Sequence, residues 1–189
     1  DVHLMGSVNC AKAVWDIMRE QNYGRIVMTA SSSGIYGNFG QSNYGAAKMG
    51  VVGLMNVLHQ EGAKYNIHVN TLSPTAATRM TENLISPEAL SLMTVESVTA
   101  GLLFLASEQA PSRLVLCAGA GGYAATRIFE TDGIYLRPED QTPENVAANL
   151  DAILDTEGQE MLQGAFAQTD KFVRKAAEAL GVKLEKQET

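Results

Sequence analysis

Apolar residues along this chain follow two periods. Short unbroken runs bounded by glycine or proline, one from Gly24 to Ser31 and one from His68 to Pro74, read as buried strands. From Gln41 to Ala63 small and apolar residues recur at helical spacing, and similar patterns run from about Gly6 to Glu20 and from Val95 to Ser107. Leu114 to Ala118 reads as a third strand. Helices and strands therefore alternate, which predicts an α/β fold: a parallel sheet with helices on its faces. Gly34 to Gly40 is expected as a glycine-rich loop. The stretch from Met80 to Met93, with Leu84, Ile85, Leu90 and Leu92 around Pro87, reads as a lid over a substrate or as a plain surface connection, and its length favours the lid.

The pattern changes after Gly133. Tyr135 to Gln141 is a polar, proline-bearing linker, after which Thr142 offers an N-cap, Pro143 a first helical position, and Val146, Leu150, Ile153 and Leu154 an apolar stripe. A second helix is expected from about Gln159 to Leu180, stopped at Gly181. Met161, Leu162, Phe166 and Val173 are expected to pack against a body or a sister subunit. The chain thus reads as two parts, residues 1–133 and a linker with a helical extension over 134–189, whose last residues from Lys183 fray.

Composition adds limits. With 189 residues, 46% of them apolar, the chain can build a substantial core. A net charge of −7 argues against nucleic acid as a partner and weakly against an anionic membrane. No apolar stretch of about 18 residues or more stands out. Cys10 and Cys117 lie far apart in sequence, which suits buried free thiols in a reducing compartment better than a disulfide. The terminal Gln187-Glu188-Thr189 is unlike the Ser-Lys-Leu type of peroxisomal signal, so the cytoplasm is the expected location.

The candidate chemistry sits on the central helix. Tyr44 and Lys48 are four residues apart and share a face, and Ser31 lies thirteen residues before the tyrosine at a strand end. A phenol with an ordinary pKa near ~10 is a poor base at neutral pH, and an adjacent ammonium favours its phenolate form. A serine hydroxyl could hold a substrate oxygen beside the phenol while the proton moves. Ser32 and Ser33 adjoin, so the choice of Ser31 rests on spacing. His59 and His68 have no partners at metal-ligand spacing and read as structural or exposed.

With Thr29-Ala30-Ser31, Gly34-Ile35-Tyr36-Gly37-Asn38-Phe39-Gly40-Gln41, Tyr44 to Lys48 and Asn66-Ile67-His68-Val69-Asn70-Thr71, the chain resembles the short-chain dehydrogenase/reductase family, most closely over about residues 1 to 85 and toward its hydroxyacyl-CoA dehydrogenase branch. The resemblance implies a Rossmann-like domain, NAD or NADP as cofactor, and a small-molecule substrate, a hydroxyacyl or ketoacyl thioester or another secondary alcohol or ketone. It makes Tyr44 the general acid/base, Lys48 the residue that lowers its pKa and holds the nicotinamide ribose, and Ser31 the substrate-positioning hydroxyl. His3 stands where the family often has an asparagine supporting a proton relay; an imidazole could serve a pH-sensitive relay or merely pack near a helix start. The loop after Pro74 is placed near the nicotinamide carboxamide, with Thr78 the leading contact and Thr81 next, or it only links strand to helix.

Only one literal Gly-x-Gly-x-x-Ala occurs, from Gly119 to Ala124, and it reads as a decoy because the next segment looks extended rather than helical. A first mononucleotide half of the domain is therefore expected to be missing, and only the carboxyl-terminal part to be present. Val51, Val52, Leu54, Met55 and Leu58 of the Tyr–Lys helix face a symmetry mate, the sheet, or both, and a homo-oligomer is expected. Two function classes follow: an NAD(P)-dependent oxidoreductase, and a non-catalytic fragment serving as a dimerisation or scaffold module.

Overall fold

The structure is a computed structural model and describes residues 1–78 and 85–184. It forms two compact units, Asp1–Thr126 and Arg127–Thr189.

The first unit is built on strands β1 (Gly24–Thr29), β2 (Ile67–Thr75), β3 (Val115–Gly119) and β4 (Gly122–Thr126), which lie side by side in chain order. The first three are parallel and β4 returns antiparallel to β3. Helix α1 (Met5–Glu20) precedes β1, while α2 (Ser32–Ile35) and α3 (Ser42–Gly62) connect β1 to β2. Helices α4 (Pro87–Leu92) and α5 (Val95–Ala106) precede β3. Alternation along the strands divides the core. Ile26 and Met28 of β1, Ile67 and Val69 of β2 and Val115 of β3 meet Ala11 of α1 and Val51, Val52 and Met55 of α3 on one face. Leu72, Leu116 and Ala118 meet Leu105 of α5 on the other. The expected α/β layering holds, with an antiparallel fourth strand that the alternating pattern did not announce.

That strand accounts for the glycine-rich motif. Ala120 (φ 49°) and Gly121 (φ 75°) both occupy the left-handed region, as the tight turn of a two-residue hairpin requires, so Gly119 to Ala124 is a turn and the start of β4. Elsewhere the boundaries shift for local reasons. The expected loop from Gly34 to Gly40 begins as α2, capped by Ser31, and becomes irregular where Gly37 and Gly40 take positive φ. β2 continues through Pro74 to Thr75. Even-numbered amides of β2 face β1, whose pairing has already ended at Leu72, so the proline lacks a donor where none is needed.

The structure answers three further expectations. Val51, Val52 and Met55 are buried in the core and Leu54 and Leu58 pack against it, so this apolar face of α3 belongs to its own fold. Cys10 is exposed, because its stripe of α1 turns away from α3, and Cys117 is half-buried; both thiols are free. Pro87–Ala106 is long and apolar enough to cross a membrane by composition, with a mean hydropathy of 1.7. Here it is broken at Met93 and Thr94 into α4 and α5, and α5 buries Gly101 and Leu105. Of the stretch read as a lid, residues 80–84 lie outside the described residues; Pro87–Leu92 is helical, capped by Ser86.

The second unit contains α6 (Pro143–Ala148), α7 (Leu150–Leu154) and α8 (Ala165–Leu180). The Thr142 hydroxyl caps α6 from Asn145 N–H at 3.2 Å, as the sequence led one to expect. The apolar stripe is carried by two short helices that meet at Asn149. Helix α8 begins later than its periodicity suggested, because Glu160 exchanges backbone hydrogen bonds with Glu130 and Gly158 turns with φ 72°. Gly181 ends it in the left-handed conformation, with Val182 N–H donating to Ala177 O at 2.8 Å. Gln168 and Lys171 bind the Glu130 carboxylate, and Lys175 binds Asp132 at 2.6 Å. These contacts hold both carboxyls below the ordinary carboxylate range, through hydrogen bonds from Lys171 and Lys175 respectively. Met161 and Leu162 are half-buried, whereas Phe166 and Val173 are exposed in the single chain.

Candidate active site

The carboxyl end of β1 leads straight into the site. After Thr29 and the buried Ala30, Ser31 adopts an extended conformation and its Oγ accepts a hydrogen bond from Ser33 N–H at 3.2 Å, capping α2. The hydroxyl therefore spends acceptor capacity on the backbone and keeps its own hydrogen for donation to another oxygen. Ser32 is exposed, and Ser33 engages Ser31 through its amide.

Helix α3 supplies the tyrosine and lysine. Tyr44 stands half-buried on its first turn, and Lys48 is 7% exposed. The Lys48 ammonium lies 5.8 Å from the centre of the Tyr44 ring and donates to the Thr29 carbonyl at 2.8 Å. A buried ammonium needs such an acceptor, because an unpaired charge away from water is costly. From the opposite side the His3 ring meets Tyr44 edge to face, at 5.1 Å between centroids and 88° between planes.

Close approach of α2 to α3 assembles these groups. A Cβ on Gly34 would lie 2.8 Å from Lys48 Cβ and 2.9 Å from Met49 N, and one on Gly45 would lie 3.0 Å from Ser33 O. Only hydrogen fits at these contacts. The sequence reading assigned neither glycine, nor the Thr29 carbonyl, to the site. Gly45 could have been found, since it falls between Tyr44 and Lys48; the place of Gly34 depends on how the two helices cross.

The residues assigned to a cofactor are less concentrated. Pro74 is half-buried within β2 opposite Ala118. Thr78 is exposed, just past Ala77, whose amide donates to Met93 O at 2.7 Å and so ties this loop to the end of α4. Thr81 lies outside the described residues. His59 and His68 are structural, as expected: His59 Nδ1 meets Ser112 Oγ at 2.9 Å and His68 Nδ1 donates to Ala110 O at 2.8 Å. The first ties the carboxyl-terminal part of α3, and the second the amino-terminal end of β2, to the turn before β3. Among the described residues there is no cluster of three or more His, Cys, Asp or Glu suited to a metal.

A parallel sheet with a buried lysine and a tyrosine one turn apart on the helix after a serine-terminated strand defines a class. The chain belongs to the short-chain dehydrogenase/reductase family: residues 1–89 match the short chain dehydrogenase family model. It is 46% identical over 160 residues to a short-chain type dehydrogenase/reductase of Mycobacterium tuberculosis, covering 83% of this chain and 55% of that protein. It is also 46% identical over 157 residues to peroxisomal multifunctional enzyme type 2 of Mus musculus, covering 82% of this chain and 21% of the mouse protein. The solved structure of full-length peroxisomal multifunctional enzyme type 2 from Drosophila melanogaster superimposes with a TM-score of 0.83 at 36% identity, over 95% of this chain and 33% of that one. The chain therefore spans about half the length of the bacterial relative and a smaller share of the multifunctional enzymes.

Proposed function

We propose that this chain carries the proton-transfer centre of an NAD(P)-dependent oxidoreductase interconverting a secondary alcohol and a ketone, with a 3-hydroxyacyl-CoA and its 3-ketoacyl counterpart as substrate pair. The carrying observation is the buried Lys48 ammonium 5.8 Å from the Tyr44 ring. The thioester assignment is supported by the likeness to peroxisomal multifunctional enzyme type 2 and by a relative of Allochromatium vinosum named acetoacetyl-CoA reductase, 46% identical over 74 residues.

Tyr44 takes the hydroxyl proton during oxidation and returns it during reduction. Ser31 donates its free hydroxyl hydrogen to the substrate oxygen and orients it toward the phenol. His3, against the face or edge of Tyr44, passes the proton onward to solvent. The residues present fit a nicotinamide cofactor: Lys48 uses one ammonium hydrogen on Thr29 O and has two more for ribose hydroxyls. Pro74, Thr78 and Thr81 are the proposed carboxamide-side residues. When bound, the cofactor supplies or accepts the hydride.

The dehydrogenase part is assigned to residues 1–133 and the linker and helical extension to 134–189. A homodimer is proposed through the outer side of α3, where Met49, Gly53 and Val57 stand four residues apart and exposed. Membranes and nucleic acid are left out as partners on the net charge of −7. The two free thiols suit a reducing compartment, taken here as the cytoplasm; co-sedimentation of the native protein with peroxisomes would replace that assignment.

The test uses the native protein that contains this chain. It should oxidise 3-hydroxyacyl-CoA with NAD or NADP, and Tyr44→Phe should lower kcat by roughly 10²-fold or more while dinucleotide affinity is kept. Failure of the native protein to bind any dinucleotide would overturn the oxidoreductase reading. Retained turnover in Tyr44→Phe would remove the tyrosine from its role.

A further inference from the structure

Ser31 is only as well placed as the short helix it caps. α2 has four residues, and one turn does not hold its shape by itself, because fixing the backbone of a first turn costs more than its hydrogen bonds return. Its amino-terminal side is anchored: Ala30 N–H donates to Leu72 O at 2.8 Å, and the amides of Gly34 and Ile35 donate to Ser31 O at 2.9 and 3.0 Å. Its carboxyl-terminal side runs into Gly37 (φ 82°) and Gly40 (φ 76°), where no Cβ restricts the chain. A contact from outside the loop has to hold that end.

Tyr36 supplies it. Ile35 packs against the core cluster that includes Val115 of β3. Cys117 lies two residues further along β3 and Thr126 of β4 stands opposite Val115, so the pleat puts both on the same face of the sheet as Val115. There the Tyr36 hydroxyl meets Thr126 Oγ1 at 2.8 Å, and Thr126 Oγ1 meets Cys117 Sγ at 3.3 Å. Thr126 has one hydroxyl hydrogen for two partners: with Tyr36 donating, that hydrogen turns toward the sulfur and a lone pair stays aimed at the phenol. Tyr36 is 70% exposed, so its ring adds little to the core and its polar contact is what it contributes.

We propose that Tyr36, acting through Thr126, is the positioning residue of Ser31. The tie holds the carboxyl end of α2 down, which keeps Ser33 N–H on Ser31 Oγ at 3.2 Å and leaves the Ser31 hydrogen for the substrate oxygen. Tyr36 works through the serine and not through the substrate. The kinetic consequence rests on the proposed function; the geometry is measured without turnover.

The first readout is hydrogen exchange at single amides of the native protein that contains this chain. Tyr36→Phe keeps the ring and removes the tie. Exchange at Ser33 and Gly34 should speed up about three- to tenfold, the worth of one hydrogen bond, while Ile26 and Met28 in the β1–β2 ladder hold their rates. Thr126→Val should do the same and Thr126→Ser should match the native rates. The double variant Tyr36→Phe/Thr126→Val should be no faster than either single one, because both remove one contact. The second readout is turnover of 3-hydroxyacyl-CoA. A Ser31 hydroxyl released among three staggered positions is productive about a third of the time, so kcat should fall about three- to tenfold with KM nearly unchanged. Unchanged Ser33 exchange in Tyr36→Phe, or Thr126→Ser behaving as Thr126→Val, would overturn the tie. A rise in KM with kcat intact would make Tyr36 a substrate contact and overturn its positioning role, as would faster exchange with both constants unmoved. If the native protein turns over no acyl-CoA, the proposed function fails and the amides alone decide the placement of Ser31.

Discussion

Gly34→Ala tests how the candidate site is assembled. Gly34 lies within α2 and its φ is not positive, so the backbone itself accepts alanine. In a helix with free surroundings the change would stabilise by up to about 1 kcal/mol. Here the new Cβ would stand 2.8 Å from Lys48 Cβ, 2.9 Å from Met49 N and 3.0 Å from Lys48 C. Ordinary carbon contacts begin near ~3.5 Å, so α2 must withdraw by more than about half an ångström. None of the three atoms can rotate away, because all belong to or are fixed by the α3 backbone. Overpacking of this kind costs about 1–3 kcal/mol, and the upper end applies where backbone is the obstacle. The net loss is about 2 kcal/mol, which lowers Tm by about 4–8 °C at this chain length. Withdrawal also carries Ser31, the cap of α2, away from Tyr44. Thermal unfolding followed by circular dichroism reads the first effect. The control is Gly6→Ala: Gly6 lies in α1 without a positive φ and with nothing within 4 Å of an added Cβ, so Tm should hold or rise. If Gly34→Ala also held or raised Tm, the contact between α2 and α3 would not be what sets the site.

Other perturbations have separable readouts. Asn70, fully buried, donates to Pro111 O at 2.7 Å and accepts from Leu114 N at 2.8 Å, so Asn70→Ala should destabilise by about 2–4 kcal/mol in urea unfolding. His59 is held below its ordinary pKa, first by burial and then by Arg113 and His68. The neutral form is thus favoured on folding: its contribution is complete above pH about 6.5 and is lost as pH falls below that value, so His59→Gln should flatten the stability profile between pH 7 and 5. Lys171 joins Glu130 and Thr131 O, and Lys171→Met should raise the Glu130 carboxyl pKa toward its ordinary value, seen by NMR titration. His3→Phe should keep the ring contact with Tyr44 while removing the proton path, so turnover of the native protein should fall with cofactor affinity unchanged.

Much of this protein was legible in one dimension because its elements are strongly patterned. The strands from Gly24 and His68 and the helices after Gly6, Gln41 and Val95 are spaced by periods that survive folding. Ser31, Tyr44 and Lys48 could also be picked out by spacing; the structure sets Ser31 after the end of β1 and the Lys48 ammonium 5.8 Å from the centre of the Tyr44 ring. Misreadings came where tertiary context outweighed the local signal. Cys10 was read as buried by residue type although its helix face turns outward.

The sequence by itself determined the alternation of elements and the pairing of phenol with ammonium, because each depends on neighbours a few residues away. Tertiary structure alone decided that the Lys48 ammonium rests on the Thr29 carbonyl and that Gly34 must lack a side chain. Those facts depend on which backbones meet across 14 to 19 residues of chain, and contacts at that separation leave no period to read.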